Sequence, residues 1–218
     1  MSCSLNLRGV EYSNQEGMLF SNISLNVSHK EKIAIIGANG SGKTTLLEII
    51  AGLKLPKNGE VELFHHLMQK ENDFKIVRSM IGYLFQNSDN QFLCPTVIDD
   101  VAFGLLNASL DNEKALLKAE MMLRDLGILH LKDKIVYRLS GGEKKLVALA
   151  GVLVCEPKLM LLDEPTNGLD EKMQLRLVEI LKKIDKSIII VSHHKEFVES
   201  VVDKIYELTP EGLVLLKS

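Results

Sequence analysis

Apolar and polar positions change rhythm several times along the chain, and each change marks an element. "LNLRGVEY" (5–12) and "ISLNVS" (23–28) show the partial period-2 alternation of half-buried strands, with the polar turn "SNQEG" (13–17) between them. "KIAIIG" (32–37) is short and nearly all apolar, which predicts a buried strand running into a glycine-rich stretch. "KTTLLEIIAGL" (43–53) has helical spacing and is expected to stop at Gly52, before the turn "LPKNG" (55–59). From about 87 to 155 the pattern turns helical: "NEKALLKAEMMLRDLGI" (112–128) predicts one helix, and a second opens after "LSGG" (139–142). Strands return at "LMLLDE" (159–164) and "SIIIVSHH" (187–194), on either side of a helix near 171–185. "KIYELTPEGLVLLK" (204–217) reads as a hairpin around Pro210-Glu211-Gly212.

Composition narrows the class. The chain has 218 residues, 46% hydrophobic and 25% charged, ordinary for one large globular domain or two small ones. A formal charge of −3 weighs against broad binding to nucleic acid, while leaving room for a local basic patch. Cys3, Cys94 and Cys155 are odd in number and far apart, which fits reduced thiols better than a disulfide framework or a zinc site. "MSCSLNLRGVEYS" has no basic segment followed by an apolar run, so no signal peptide is expected. The longest apolar stretch, "LVALAGVLVC" (146–155), falls well short of the roughly 20 residues that span a bilayer. Work at a membrane would need other chains to do the spanning.

Two stretches carry candidate chemistry. Gly37 to Thr44 fits G-x-x-x-x-G-K-[ST] and lies between a strand and a helix, as that phosphate loop requires. Gly37, Gly40 and Gly42 let the backbone curl so that successive N–H groups face phosphate oxygens, aided by the helix dipole. Lys43 is placed to reach the β- and γ-phosphates and the Thr44 hydroxyl to coordinate Mg²⁺; Asn39, Ser41 and Thr45 complete the candidate ATP-binding set. The plainer alternative is a glycine-rich strand–helix turn with an incidental lysine. In "LMLLDEP" (159–165), Asp163 is a candidate Mg²⁺ ligand, and Glu164 can take a proton from attacking water. Taken alone, those two acids fit equally a strand leaving the core. The second glycine element, "LSGGEKK" (139–145), is on its own no more than a turn that opens a helix.

Taken in order over essentially the whole length, these motifs resemble the ATPase subunit of an ATP-binding cassette (ABC) transporter. The resemblance implies an α/β fold. It would have a P-loop NTPase core (about 1–86 and 156–218), an N-terminal antiparallel β subdomain and an inserted α-helical subdomain (about 87–155). "LSGGE" then matches the signature LSGGQ, so that Ser140, Gly141 and Gly142 would close over ATP held by a second ATPase subunit, the same chain or a different one. Glu143, where the family has glutamine, keeps the size and an acceptor oxygen but adds a charge.

Further roles follow from the same resemblance. Tyr12 matches the aromatic residue that stacks on adenine, although a tyrosine in a first strand also serves as packing. Gln86 in "IGYLFQ" matches the glutamine that contacts Mg²⁺ and the water and senses the membrane partner. Asp170 in "NGLD" (167–170) belongs to a loop at the dimer interface, and His193 matches the histidine that bonds the γ-phosphate. His194 stands where the family usually has aspartate, so two adjacent histidines compete for that role; the strand register favours His193. His65 and His66 match no motif and are expected at the surface.

"LFQNSDNQFLCPTVIDDVAFGLLN" (84–107) and the run from "SGGEKK" to "NGLD" resemble more narrowly the energy-coupling-factor and cobalt/nickel-type importers. That implies a vitamin or transition-metal ion as cargo, with a transmembrane coupling protein and a substrate-binding membrane protein as partners. No nucleic acid is expected, and the location implied is the cytoplasmic face of the cell membrane. Many members carry a longer C-terminal extension that helps the two ATPases associate; the chain ends soon after its hairpin, which fits the expectation of a compact single-ATPase system. Residues 89–103, including Gln91, Phe92, Val101 and Phe103, are candidates for the groove holding a membrane-protein helix, though Phe92 and Phe103 fit the core equally. The alternatives are a soluble ABC-type ATPase acting on ribosomes or DNA, a regulator that hydrolyses little, and a small-molecule kinase. The first commonly has two cassettes or a coiled-coil insertion, the second should lack Glu164, and the third has no use for the signature loop.

Overall fold

The computed structural model describes residues 3–15 and 17–218. Met1, Ser2 and Glu16, the last in the turn expected at 13–17, lie outside the described residues. Strands β1 (Cys3–Asn14) and β2 (Gly17–Ser28) form a long hairpin, and β3 (Lys32–Ile36) leads into α1 (Lys43–Ile50). Then come β4 (Asn58–Leu63), β5 (His66–Met68), α2 (Glu71–Val77) and β6 (Ile81–Leu84). Three helices follow: α3 (Val97–Asn107), α4 (Asn112–Asp125) and α5 (Gly141–Leu153). The chain finishes through β7 (Leu159–Asp163), α6 (Glu171–Lys183), β8 (Ser187–Val191), α7 (Lys195–Val201), β9 (Lys204–Thr209) and β10 (Gly212–Lys217).

Two sheets result. One is antiparallel, in the order β2-β1-β4-β5. The other runs β10-β9-β3-β8-β7-β6, parallel from β9 to β6, with β10 antiparallel at the edge. A parallel sheet is covered on both faces, which explains why its strands read as unbroken apolar runs. Alternation persists in where those side chains go. Leu159, Leu161, Ile189, Val191, Ile33 and Ile35 join the core shared with α1 and the antiparallel sheet. Met160, Leu162, Ile188, Ile190 and Ala34 join the core shared with α3 to α7. Between the sheets, Ser4 Oγ and Ser187 Oγ share a buried hydrogen bond of 2.8 Å, and Ser187 Oγ also donates to the Ser28 carbonyl at 3.1 Å.

Helix α1 ends as the pattern predicts, at Gly52, whose φ of +72° is left-handed. A Cβ there would lie 2.2 Å from the Phe74 ring, so only glycine lets α2 pack so close. The segment "LVALA" of α5 is buried throughout, and His65 and His66 are exposed. The groove wall expected at 89–103 needs correction: Val101 of α3, and Phe92 in the loop before it, are buried in the core among the helices. Gln91 spends its carboxamide on the main chain, accepting from Phe85 N and donating to the Ala148 carbonyl, both at 3.3 Å. Phe103 is 39% exposed and remains on the surface.

Candidate functional site

The parallel sheet aims three strand ends, those of β3, β7 and β8, at one cleft of about 640 Å³. After β3 the chain curls through 37–42 and enters α1 at Lys43. Gly42 is the N-cap, at φ +95°, and a Cβ on it would lie 2.9 Å from the Phe20 ring of β2. Left-handed backbone and close approach together demand glycine, and they press the loop against the hairpin. Lys43 folds back inside the loop, its Nζ donating to the carbonyls of Gly37 at 2.9 Å and Ala38 at 2.8 Å. Ser41 Oγ is buried with no hydrogen-bond partner among the described residues. Asn39, Gly40, Gly42, Lys43, Thr44 and Thr45 all line the cleft.

Asp163 closes β7, paired with Val191 of β8. The strand alternation turns it to the α1 side, toward Thr44. Burial pushes its carboxyl above the usual range; the Thr44 hydroxyl bonds it and pulls the other way, the Glu164 carboxylate raises it, and the Lys145 ammonium lowers it. Its Oδ1 is buried and has no hydrogen-bond partner among the described residues. A hard oxygen donor of this kind beside a threonine hydroxyl suits a divalent cation that takes its remaining ligands from phosphate and water. Among the described residues no group of three or more His, Cys, Asp or Glu is placed to hold a metal by itself.

Glu164 leaves the strand at φ +45°, a conformation that costs a non-glycine residue about 1–3 kcal/mol and gathers at functional sites. Its N–H donates to the Val191 carbonyl at 2.8 Å, which holds the bend. The nearly buried carboxylate faces His193: Oε1 lies 2.9 Å from Nδ1, and Oε2 accepts from His193 N at 3.4 Å. Gln86, exposed after β6, lines the same cleft. His194 has another duty, capping α7, where its Nδ1 accepts from Phe197 N at 3.4 Å.

Other expected residues lie elsewhere. Tyr12 does not line the cleft; its ring is 6.3 Å from that of Phe20, with the Lys54 ammonium 5.8 Å from its centroid. Asn14 and Leu19, from the same hairpin, do line it. Ser140, Gly141 and Gly142 open α5 away from the cleft lining. A Cβ on Gly142 would meet Leu169 and Met173 at 3.3–3.4 Å, so this glycine turn nestles on the "NGLD" segment. Asp170 there caps α6, its Oδ1 accepting from Met173 N at 2.8 Å.

Sequence reasoning passed over Asn14, Leu19, Asn167 and Lys145. Asn167 stands within the loop already singled out for Asp170, and its lining role was open to a closer reading of that motif. Lys145 closes a polar run just before the apolar stretch of α5 and yet is 3% exposed, with Nζ donating to the carbonyls of Phe85 at 3.2 Å and Gln86 at 2.9 Å. Burial pulls its ammonium below the usual lysine range, against the attraction of Asp163 and Glu164.

Comparison with known proteins agrees with this geometry. Residues 20–167 match the model of the ABC transporter family. A putative ABC transporter ATP-binding protein of Brucella suis is 46% identical over 92% of the chain and 83% of its own length. An energy-coupling factor transporter ATP-binding protein of Methanoculleus marisnigri is 39% identical over 84% of the chain and 68% of its own length. Among solved structures, the dimeric, post-hydrolysis ATP-binding cassette MJ0796 bound to ADP and Pi superposes with a TM-score of 0.89. It is 26% identical, over 98% of each chain. The chain belongs to the ABC transporter family, as one of its ATP-binding, ATP-hydrolysing subunits.

Proposed function

We propose that the chain binds ATP with Mg²⁺ in the cleft, hydrolyses it as a dimer, and powers a membrane importer of the energy-coupling-factor type for a vitamin or transition-metal ion. One observation carries the catalytic part: Glu164 and His193 are joined at 2.9 Å on the wall of the cleft into which the Lys43 loop opens. In this reading Lys43 exchanges its loop carbonyls for β- and γ-phosphate oxygens. The backbone N–H groups of the loop and the start of α1 hold the remaining negative charge. Glu164 accepts the proton of the attacking water, while His193 keeps that carboxylate in place and faces the γ-phosphate. Thr44, Asp163 and Gln86 would hold Mg²⁺, which when bound supplies neutralisation of the charge on the phosphate oxygens.

Dimerisation gives Ser140 to Gly142 a purpose. They begin a helix whose free N–H groups suit an anion, and they do not line their own chain's cleft. Set over the cleft of a second subunit, they would close it around ATP, with Asp170 at the joint. ATP would then bias a two-state motion, because it touches both halves only when closed. The dimer of MJ0796 and the energy-coupling-factor relative support this reading. So do two exposed apolar side chains of the 89–103 stretch, Leu93 at 69% and Phe103 at 39%, which would meet a helix of a transmembrane partner. Among the described residues no helix is long and apolar enough to cross a membrane, so the spanning falls to those partners. Affinity capture of the chain from detergent-solubilised membranes tests the importer. Co-purification of a transmembrane coupling protein with a substrate-binding membrane protein is the expected result. Recovery of ribosomal proteins instead would contradict it.

A further inference from the structure

Lys145 is a buried charge to which the hydrolytic chemistry above gives no part. It lies one turn into α5, against the apolar run Leu146–Ala150. Desolvating an ammonium costs several kcal/mol unless hydrogen bonds make up the loss, and an apolar residue would fill the space more cheaply. The two bonds it makes both go to the main chain of the segment that carries Gln86. We infer that Lys145 is a positioning residue for the nucleotide site: by gripping the Phe85 and Gln86 carbonyls, it fixes the Gln86 side chain in the cleft relative to the helix that begins at Ser140.

Two further ties fasten the same loop to the same helix. Gln91 bridges Phe85 N and the Ala148 carbonyl, and Lys144 Nζ meets Asp89 Oδ1 at 2.6 Å. The bonds of Gln91 to Ala148 and of Lys144 to Asp89 hold the far end of the loop to α5. Lys145 joins the end next to Gln86 to that helix directly, and the Gln91–Phe85 bond braces the loop across itself. A shift of α5 when its first turn engages a second subunit is thereby transmitted to Gln86, within a few ångströms and through one side chain. The inference rests on the reading of the cleft as an ATPase site.

The Lys145→Met variant of the full chain keeps the stem volume and removes the grip. Its kcat for ATP should fall about tenfold or more, the scale of loss expected for a misplaced site group, with affinity for ATP little changed. Amide hydrogen exchange should quicken over 85–91 and stay slow in the body of α5. Lys145→Arg, which can still donate to both carbonyls, should restore most of the turnover. Wild-type turnover and exchange in Lys145→Met would overturn the inference. So would a joint loss of turnover, ATP affinity and thermal stability that arginine fails to rescue, since that marks a packing role. A wild-type chain inert toward ATP would instead defeat the hydrolytic reading, and is read in the same assay before any variant.

Discussion

Asp163 shows how a side chain can serve a site at the expense of the fold. Its carboxyl is pushed up from 3.8 chiefly by burial, so the native state holds that proton more tightly than the unfolded chain. Stability is therefore lost as pH rises from the unfolded value through the raised folded one, and above that range the ionised, half-orphaned carboxylate is a liability. Asp163→Asn removes the charge with little change in shape. The variant should melt about 2–4 °C higher at pH 7, the shift that roughly 1 kcal/mol makes in a chain of this size. The gain should shrink toward pH 4, and ATP hydrolysis should be lost. Paired thermal melts at the two pH values check this, and a lower melting point at pH 7 would count against it. Such a trade is expected where a site needs a charge that the core does not.

Helix α5 carries the point at which the chain leaves its family's signature pattern. Ser140 Oγ accepts from Glu143 N at 3.3 Å, while Glu143 Oε2 accepts from Ser140 N at 2.8 Å, a reciprocal cap on the first turn. Those bonds, the backbone one foremost, hold the Glu143 carboxyl below its usual range. Its contribution is present above about pH 4.5 and lost as pH falls through the lower folded value. Glu143→Gln keeps an acceptor and should leave the urea midpoint almost unmoved at pH 7. Glu143→Ala should lose about 1 kcal/mol, a normal cap cost. Equal loss in both variants would mean the ion pair with Lys134, at 3.3 Å, matters more than the cap. The S-x-x-E spacing of 140–143 was open to reading as a capping box. Elements as a whole were legible where an apolar run or helical period was long, as in β7, β8, α4 and α5. Among those missed were β4, α3, α7, β5 and α2, the last two short and owing their existence to neighbours: β5 pairs with β4, and Phe74 of α2 fits under Gly52.

At the scale of the molecule, whatever is contiguous in the chain was readable and whatever converges from a distance was not. The phosphate loop, Asp163 with Glu164, and His193 announce themselves as motifs because each sits where a parallel strand ends, and parallel strands end on the same edge. Asn14 and Leu19 reach the cleft only because the hairpin folds back over Gly42, and Lys145 reaches Gln86 across some sixty residues of chain. No local pattern encodes such a meeting. The glycine turn beside Asp170 does not line its own chain's cleft, and in the proposed reading a second subunit brings the two together. Sharing of each site between two subunits is tested most directly by the solution mass of Glu164→Gln in saturating ATP and Mg²⁺, by light scattering. Without its proton acceptor the variant should bind ATP, hydrolyse almost none, and run as a stable dimer that returns to monomer when nucleotide is removed. A monomer at saturating ATP would contradict the shared site.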